Sequence, residues 1–290
     1  MHRWFRSTCL LFAVLVAGCA PPAAQPGGVA RAPEGTLLRK VQDRGKIVIG
    51  VKYDVPTFGY LNPRTNQLEG FDVDLGRAIA REVLGSEDRA EFTQAKSADR
   101  IPFLNAGQVD LILSTMTANE ERAGQIDFTD AYYVAGQSLL VRNGSTVNGI
   151  GDLAGRTVCS VTGSTSEANI REKAPRAEVV LFGTYSECVQ AMDSGRVEAV
   201  TTDDIILLGF ANEAPDRYKV VGGQFTIEPY AGGIAKNNPE LLQAINDALK
   251  RIKASGEWKR IYERNLKGVA VPAEPPVDWR EVYRMRPSGA

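Results

Sequence analysis

Short apolar runs and amphipathic stretches alternate along most of the chain. Residues 46–51 (KIVIGV) are almost wholly apolar and predict a buried strand. Residues 71–84 (FDVDLGRAIAREVL) place apolar side chains three and four positions apart and end before Gly85, which predicts a helix. The same patterns predict strands at 91–94, 109–114, 156–161, 178–182 and 198–202, and helices at 97–106, 184–194, 238–255 and 256–265, with two more that begin at residues 164 and 203. This alternation is typical of parallel sheets covered by helices, so the sequence predicts an α/β fold.

Polar residues mark the starts of several helices. We expect Ser97 to cap the helix that stops before Gly107. Capping boxes are expected where a glutamate follows three positions after Ser164 and after Thr184. The strands and helices form two sets of about 100 residues each, an ordinary domain size. We expect the two sets to be joined near residues 137–147.

The N-terminal residues have the layout of an export signal. Two arginines precede an apolar stretch that is too short to cross a membrane, and small residues follow it. Residues 16–19 (VAGC) resemble the bacterial lipobox, in which the cysteine is lipidated and becomes the first residue of the mature protein. The alternative is an ordinary signal peptide with an incidental cysteine. We therefore expect residues 1–18 to be removed, Cys19 to carry lipid on the outer face of the cell membrane, and the Pro- and Gly-rich residues 19–35 to form a flexible tether.

Composition excludes several classes of function. The 290 residues include 34 Lys and Arg against 35 Asp and Glu, so no basic excess is present to bind a nucleic acid backbone. The single histidine, His2, lies in the segment that we expect to be removed, which leaves no imidazole for general base catalysis or for a metal. With 43% hydrophobic residues the chain has enough apolar material for proper cores. We therefore expect an exported globular protein with no metal site and no cofactor.

Two of the four cysteines remain once Cys9 is removed and Cys19 carries lipid. An exported chain meets oxidising conditions, so we expect Cys159 and Cys188 to form a disulfide. In the chain-entropy model such a cross-link is worth about 3 kcal/mol. The alternative is two buried free thiols.

In sheets of this kind ligands bind beyond the carboxyl ends of the strands, where helix N-termini present N–H groups. The residues at these ends are hydroxyls, cations and carboxylates, without a nucleophile paired with a base. In the first set they are Lys52, Tyr53, Asp54, Ser97, Arg100, residues 114–117 and Arg122. In the second set they are residues 162–165, Thr184, Tyr185, Thr202, Asp203 and Asp204.

The charges in this group favour a small zwitterion. Lys52, Arg100 and Arg122 are cations that suit carboxylates, which guanidinium groups bind bidentately. Asp203, in the second set, would neutralise an ammonium group, whose burial without a partner is costly. An amino acid with a second carboxylate matches this set, so the sequence predicts an acidic amino acid. Taken singly, each cation could instead be a solvated surface charge, and Asp203 or Asp204 could be only a helix N-cap.

Several short motifs stand in an order that identifies a family. They are residues 70–75 (GFDVDL), residues 107–111 (GQVDL), Arg122 with residues 128–132 (FTDAY), residues 163–165 (GST) and residues 195–199 (GRVEA). Together they resemble the family 3 extracellular solute-binding proteins of ABC transporters, over about residues 40–266. Within that range, residues 158–165 (VCSVTGST), 184–189 (TYSECV) and 201–207 (TTDDIIL) are most similar to the glutamate-binding lipoproteins of actinobacteria.

This resemblance implies the two-lobe fold of type II periplasmic binding proteins, with two crossing strands between the lobes. The first lobe would comprise residues 36–138 and 228–266, and the second lobe residues 139–227. Residues 267–290 would form a loosely attached tail. The periodicity of the sequence does not itself indicate the return crossing.

The resemblance also implies roles for the candidate residues. Arg122, supported by Thr117 and by the backbone N–H of Thr165, would bind the α-carboxylate of the ligand, and Asp203 would bind its α-ammonium. The side-chain carboxylate would be held by Lys52 and Arg100 beside Ser97 and Thr115, with Tyr185 as a donor from the second lobe and Ser164 in the helix start that closes on the ligand. Related proteins place an aromatic wall beside the first strand, and Tyr53 and Phe58 are both candidates for it.

On this basis we expect a monomeric binding lipoprotein, and not an enzyme, that captures an amino acid by closure of its lobes and delivers it to ABC permease subunits in the membrane. The resemblance favours glutamate and leaves aspartate and glutamine open. One alternative is a lipoprotein that reports amino acids to a membrane kinase or regulator. Another is an exported dehydratase of the same fold that acts on cyclic amino acids.

Overall fold

Two five-stranded sheets form the cores of the molecule, and a short three-stranded sheet lies beside them. The computed structural model describes residues 30–266, 268 and 278–284. In chain order the strands are β1 (Ile47–Val51), β2 (Asp54–Val55), β3 (Gly59–Leu61), β4 (Leu68–Glu69), β5 (Ala90–Gln94), β6 (Leu111–Ile112), β7 (Ile126–Ala135), β8 (Gln137–Arg142), β9 (Thr157–Val161), β10 (Glu178–Phe182), β11 (Ala199–Asp203), β12 (Tyr218–Val221) and β13 (Glu228–Ala235). The α-helices are α1 (Leu37–Arg44), α2 (Phe71–Leu84), α3 (Arg100–Asn105), α4 (Glu120–Ala123), α5 (Thr165–Lys173), α6 (Tyr185–Asp193), α7 (Asp204–Glu213), α8 (Pro239–Ala254), α9 (Glu257–Asn265) and α10 (Trp279–Arg284).

The expected signal segment, residues 1–18, lies outside the described residues. Cys19 and the expected tether as far as residue 29 lie outside them as well. Among the residues that are described, no helix combines the length and the apolar character needed to cross a membrane.

The first sheet has the strand order β5, β1, β6, β13, β7. Strand β1 runs parallel to β5 and β6, whereas β13 runs antiparallel to β6 and β7. The strand predicted at 109–114 is shortened to β6 because Ser114 and Thr115 have positive φ angles, of 20° and 43°, which turn the chain out of the sheet. This turn places the carbonyl groups of both residues within hydrogen-bond distance of the Arg100 guanidinium.

The second sheet has the strand order β10, β9, β11, β8, β12. Strands β9, β10 and β11 are parallel, as their apolar runs predict, while β8 is antiparallel to β11 and to β12. Cys159 of β9 and Cys188 of α6 form the predicted disulfide, with their Cα atoms 5.5 Å apart. The cross-link therefore ties a central strand of this sheet to the helix that packs on it.

The chain crosses between the two sheets twice. Strand β7 ends in the first sheet at Ala135, and β8 begins in the second sheet at Gln137, so the first crossing lies at Gly136, next to the predicted residues 137–147. The return crossing follows β12 and enters β13. The two passages touch, since the backbone N–H of Phe225 donates to the carbonyl of Gln137 at 3.0 Å and the N–H of Gln137 donates to Thr226 Oγ1 at 3.0 Å. The two-lobe α/β fold with two crossing strands is thereby confirmed, and residues 137 and 138 pair within the second sheet.

Two predicted capping boxes stand at the helix starts of the second lobe. The box at α6 is complete, because Thr184 accepts from the N–H of Glu187 and Glu187 accepts from the N–H of Thr184. At α5 only half of the box forms. Ser164 accepts from the N–H of Glu167 at 3.0 Å, but the Glu167 carboxylate accepts from the N–H of Gly163 instead.

The C-terminal helix α10 packs on the first lobe beside β7 and β13. Trp279 is 4% exposed, and its ring meets that of Phe128 at a centroid distance of 5.7 Å. The ring belongs to a cluster that also contains the small side chains Ala118, Ala131 and Ala231. The expectation of a loosely attached tail is therefore wrong for this helix, because its apolar residues are buried.

Candidate functional site

Five of the predicted binding residues, contributed by both lobes, line one cleft. A cavity of about 450 Å³ lies between the lobes, and its lining includes Ser97, Arg100 and Arg122 from the first lobe together with Ser164 and Thr165 from the second. The other predicted residues do not line this cavity, and each is 5% exposed or less. They are Lys52, Thr115, Thr117, Tyr185 and Asp203.

The cleft is closed by contacts that join the two lobes. The carbonyl oxygen of Gly163, in the second lobe, accepts from Arg100 Nη2 at 3.2 Å and from Arg122 Nη2 at 3.1 Å. Gly163 has a φ angle of +78°, and a Cβ there would lie 2.9 Å from the Cα of Ala98. Only glycine permits both the conformation and this close approach. Two cations of one lobe are thus drawn to one backbone oxygen of the other.

Lys52 lies directly after β1 and is 2% exposed. Its Nζ donates to Ser97 Oγ at 2.7 Å and lies 5.7 Å from the centre of the Tyr185 ring. Ser97 was expected to cap α3, but that prediction is wrong. The N-cap is Asp99, and the Ser97 hydroxyl accepts from the lysine instead. Burial, reinforced by the charge of Arg100, lowers the pKa of Lys52 to about 7.

Arg100 is fixed by backbone oxygens of its own lobe. Its Nε donates to the carbonyl of Ser97 at 3.1 Å, and its Nη1 lies 3.2 and 3.3 Å from the carbonyls of Ser114 and Thr115. The turn that presents these carbonyls is itself held by Asp72, which accepts from the N–H of Thr115 at 2.8 Å. Burial, and next the charge of Arg122, lowers the pKa of Arg100 to about 9, so the guanidinium remains protonated at neutral pH.

Arg122 belongs to the short helix α4, whose N-cap Asn119 accepts from the backbone N–H of the arginine at 2.8 Å. Its Nη1 donates to the carbonyl of Thr117 at 2.6 Å. Burial lowers the pKa of Arg122, and the negative charge of Glu228 opposes that shift. The side chain is therefore held rigidly with its guanidinium in the cleft.

The N-terminus of α5 faces these cations from the second lobe. Thr165 is its first residue, and its Oγ1 lies 3.4 Å from Thr117 Oγ1 across the cleft. Ser164 is the N-cap, and its hydroxyl also donates to the carbonyl of Val161 at 2.8 Å. The first N–H groups of a helix have no partner within the helix, and they carry part of its positive dipole. This end of α5 is suited to an anionic group.

Asp203 ends β11 and is 4% exposed. Its Oδ2 accepts from Tyr230 Oη at 2.5 Å, while its Oδ1 has no hydrogen-bond partner among the described residues. Burial, and next the charge of Glu228, raises the pKa of Asp203 well above its ordinary value. The neighbouring Asp204 instead accepts from Gly136 N–H and from Gln224 Nε2 near the crossing. Of the two aspartates, Asp203 is therefore the one with an oxygen to offer a ligand.

Sequence reasoning missed several polar residues that line the cavity, among them Glu228 and Asn169. Glu228 is 1% exposed, and its Oε1 accepts from Asn169 Nδ2 at 3.0 Å. Its Oε2 has no hydrogen-bond partner in the described part of the chain. The same Asn169 amide donates to Gln137 Oε1 at 2.9 Å. Because Glu228 opens the returning strand β13, which the hydrophobic pattern does not mark, no signal in the sequence pointed to it.

Neither candidate for an aromatic wall lines the cavity. Phe58 is fully buried and packs against Phe71, Tyr133 and Tyr230, with ring centroids 5.4 to 5.6 Å away. Tyr53 is partly buried, and its hydroxyl lies 3.2 Å from the carbonyl of Phe92. Both side chains thus serve the packing of the first lobe.

Both lobes contribute charges to the cleft and its surroundings. The first lobe contributes Lys52, Arg100, Arg122 and the buried carboxylate of Glu228, and the second lobe contributes the buried carboxylate of Asp203. Arg122 and Asp203 influence each other electrostatically, as do Arg100 and Asp203. Within the described ranges, no group of three or more His, Cys, Asp or Glu side chains is placed to hold a metal ion. The arrangement is suited to a small molecule that carries carboxylates at one side and an ammonium at the other.

The sequence is similar to those of known binding proteins over most of its length. It is 42% identical over 258 residues to the ABC transporter glutamine-binding protein GlnH of Bacillus subtilis strain 168, an alignment that covers 89% of this chain and 94% of the relative. It is 35% identical over 243 residues to the glutamate-binding protein GluB of Corynebacterium efficiens, with 80% and 82% covered.

A solved structure gives the same fold. An ancestral amino acid-binding protein, described as a precursor of cyclohexadienyl dehydratase, superposes with a TM-score of 0.73 at 34% identity and covers 79% of this chain and 99% of its own. Residues 47–268 match the bacterial extracellular solute-binding proteins, family 3. With its two lobes, its crossing strands and this match, the chain belongs to the family 3 bacterial extracellular solute-binding proteins.

Proposed function

We propose that this protein is the amino acid-binding subunit of an ABC importer and that its ligand is L-glutamate. The observation that carries the proposal is the closed cleft, which is lined by Arg100 and Arg122 of one lobe. Lys52 of the same lobe and Asp203 of the other lobe are buried behind this lining. A glutamate ion has two carboxylates and one ammonium, so each of its charges finds an opposite charge there.

Each end of the ligand has a group of residues suited to it. Arg122, Thr117 and the N-terminus of α5 at Ser164 and Thr165 bind the α-carboxylate, while Asp203 binds the α-ammonium through Oδ1. The side-chain carboxylate lies against Lys52 and Arg100. Ser97, Thr115 and Tyr185 surround that second carboxylate subsite. Ligand binding and closure are coupled because these groups come from both lobes.

Glutamine is the second candidate, and two observations favour it. The GlnH relative is a glutamine-binding protein. The pKa of Lys52, lowered to about 7, leaves part of the population with an uncharged amine that pairs with an amide as well as with a carboxylate. Aspartate is shorter by one methylene and has the charges of glutamate, so it serves as the test of pocket length.

Isothermal titration calorimetry of the purified protein with glutamate, glutamine, aspartate and arginine tests the proposal. We expect glutamate to bind at about micromolar Kd or tighter, which is about −8 kcal/mol. Arg122→Ala and Asp203→Ala should each weaken binding by at least about 2 kcal/mol, because each leaves a buried ligand charge unpaired. Arg176→Ala removes an exposed cation of the second lobe and serves as the matched control. Tighter binding of arginine than of glutamate would contradict the roles of Lys52 and Arg100.

The delivery role and the anchor need separate tests. We propose that Cys19 carries lipid and that the protein acts outside the cell membrane as a monomer. Mass spectrometry of the protein from bacterial membranes should show a diacylated Cys19, and Cys19→Ala should release the protein to the medium.

Uptake of labelled glutamate should require both this protein and its permease. Co-purification with a membrane kinase and no effect on uptake would favour a sensor instead.

The proposed protein binds its ligand without changing it. A dehydratase needs an acid or base that exchanges protons with its substrate, whereas in the proposed binding mode Asp203 and Lys52 are each paired with an opposite charge of the ligand. The similarity to a precursor of cyclohexadienyl dehydratase means that dehydratase activity needs a direct test. Incubation with prephenate or arogenate should yield no product, and turnover of either compound would overturn this part of the proposal.

A further inference from the structure

Asp54 joins the two lobes without lining the ligand cavity. It is the first residue of β2, in the first lobe, and its Oδ2 accepts from the backbone N–H of Tyr185 at 2.8 Å and from that of Ser186 at 3.3 Å. Both donors lie in the first turn of α6, in the second lobe. A single carboxylate oxygen of one lobe thus caps a helix of the other.

The two N–H groups have no alternative acceptor in the helix cap itself. The side chain of Thr184, the N-cap of α6, accepts from the N–H of Glu187. The N–H groups at the first positions of an α-helix find no acceptor within the helix. When the lobes separate, the Tyr185 and Ser186 N–H groups and the Asp54 carboxylate must therefore turn to water. The contact exists only in the closed form.

The contact favours closure for two physical reasons. Hydrogen bonds from backbone N–H groups to an ionised carboxylate are stronger than those between neutral groups. A negative charge at a helix N-terminus also interacts favourably with the helix dipole. The neighbouring Thr57 extends the same contact surface, since its Oγ1 lies 3.4 Å from the carbonyl of Ile205 in α7.

We propose that Asp54 is a closure latch, a positioning residue that holds α6 against the first lobe and so lengthens the time that a bound ligand stays in the cleft. The proposal rests on the proposed binding function for its ligand, but the latch itself is a contact between lobes. Asp54 does not line the ligand cavity, so its bonds to α6 stabilise the closed form whichever amino acid is bound. Its removal should speed ligand release without changing the preference among ligands.

If Asp54 acted mainly through its charge on Lys52, its removal would change the preference between glutamate and glutamine. The charge of Asp54 also acts on Lys52, where it favours the protonated amine. Asp99 acts on the pKa of that lysine in the same direction, though less strongly. The carboxylate of Asp99 accepts from the N–H of Lys96, within its own lobe, at 3.2 Å. Asp99→Asn is therefore a matched control that removes a charge near Lys52 and leaves the lobe contact intact.

Stopped-flow release of glutamate and of glutamine from the wild type, Asp54→Ala, Asp54→Asn and Asp99→Asn tests the latch. We expect Asp54→Ala to raise the dissociation rate of each ligand about tenfold and by the same factor, as the loss of charge-assisted hydrogen bonds implies. Asp54→Asn, which keeps an acceptor oxygen, should fall between Asp54→Ala and the wild type. Asp99→Asn should stay within about twofold. An unchanged rate in Asp54→Ala, or a loss confined to glutamate and shared by Asp99→Asn, would overturn the latch.

Small-angle X-ray scattering without ligand separates the latch from the proposed ligand. Asp54→Ala should increase the radius of gyration of the ligand-free protein relative to Asp99→Asn, because its lobes part more readily. A protein that binds neither glutamate nor glutamine but shows this increase would refute the proposed ligand and support the latch. Equal radii of gyration together with equal ligand dissociation rates, in folded variants with equal melting temperatures, would refute the latch.

Discussion

The hydroxyl of Tyr230 lies 2.5 Å from Oδ2 of Asp203, and the two residues come from different sheets. Tyr230 stands on β13 of the first sheet, and Asp203 ends β11 of the second. Burial, and next the charge of Asp203, raises the pKa of Tyr230 well above its ordinary value, so the phenol stays protonated and donates. The bond fixes one carboxylate oxygen and leaves the other, Oδ1, without a hydrogen-bond partner among the described residues. Closure and the orientation of the proposed ammonium acceptor are thereby linked.

Replacement of Tyr230 by Phe tests this link. The change keeps the ring and its packing but removes the donor to Asp203. We expect ligand affinity to fall by about tenfold or more, because a hydrogen bond to a charged group contributes about 1.5 to 3 kcal/mol. Calorimetric titration measures the change. Tyr133→Phe, in a neighbouring ring whose hydroxyl interacts with Tyr262, is the control and should bind normally. Equal affinities of the two variants would remove Tyr230 from the site.

The pKa of Lys52 predicts how glutamate affinity depends on pH. Because that pKa is lowered to about 7 in the free protein, the amine is charged at pH 6 and largely neutral at pH 8.5. A bound carboxylate favours the charged form, so glutamate binding takes up a proton and its affinity falls as pH rises through 7. The fall approaches about tenfold for each pH unit above that value. Glutamine, which carries no charge at this position, should change less.

Calorimetry at pH 6 and pH 8.5, in buffers of different ionisation enthalpy, measures both the affinity and the proton uptake. Lys52→Met removes the titrating group and should abolish most of the pH dependence of glutamate binding. The same slope in the wild type and in Lys52→Met would show that another group is responsible.

From the sequence, the strands and candidate site residues within each lobe could be predicted better than the contacts between the lobes. Runs such as residues 46–51 identified the central strands, and the carboxyl ends of those strands directed attention to Lys52, Arg100 and Arg122. Strand β13 lacked such a signal, because Gly232 and Gly233 interrupt it and Pro229 follows its first residue. Glu228 and Tyr230 were missed for that reason.

Contacts across the cleft could not be predicted because they depend on closure. The Gly163 carbonyl oxygen accepts hydrogen bonds from two guanidinium groups. It is a backbone atom, so no side chain at this position indicates that role. Ser97 was misassigned for a similar reason. Its position before a helix fits an N-cap, but its hydroxyl accepts a hydrogen bond from Lys52, which is 45 residues away in sequence. Helix-capping patterns take account only of residues close in sequence, whereas the partner of Ser97 becomes its neighbour only in the folded protein.

The disulfide between Cys159 and Cys188 should stabilise the second lobe without shaping the ligand subsites. It closes a loop of sequence separation 29, for which the chain-entropy model gives about 3 to 4 kcal/mol. We expect the double variant Cys159→Ala and Cys188→Ala to lose about that much stability in guanidinium unfolding. Ligand affinity of the folded variant should stay within about threefold, since neither sulfur lies in the cavity lining. Full stability of the double variant would contradict the prediction.

Helix α10 should depend on Trp279 for its attachment to the first lobe. The helix has six residues, and a helix of that length is not stable by itself in water. Trp279 is 4% exposed, and its ring lies 5.7 Å from that of Phe128 and 6.2 Å from that of Tyr283, measured between ring centroids. We expect Trp279→Ala to detach the helix and to raise amide exchange over residues 279–284 to the rate of an unprotected chain.

Hydrogen exchange with mass spectrometry separates local detachment from global unfolding. In Trp279→Ala the protection of β1 and β11, in the cores of the two sheets, should remain, because opening is confined to the terminal helix. Arg280→Ala is the control within the same helix. It removes the ion pair with Glu120 at 2.8 Å, in which both side chains are about half exposed or more, and such pairs contribute about 0 to 1 kcal/mol. Protection of residues 279–284 should therefore survive in Arg280→Ala. If it survived equally in Trp279→Ala, the tryptophan would not be what holds this helix in place.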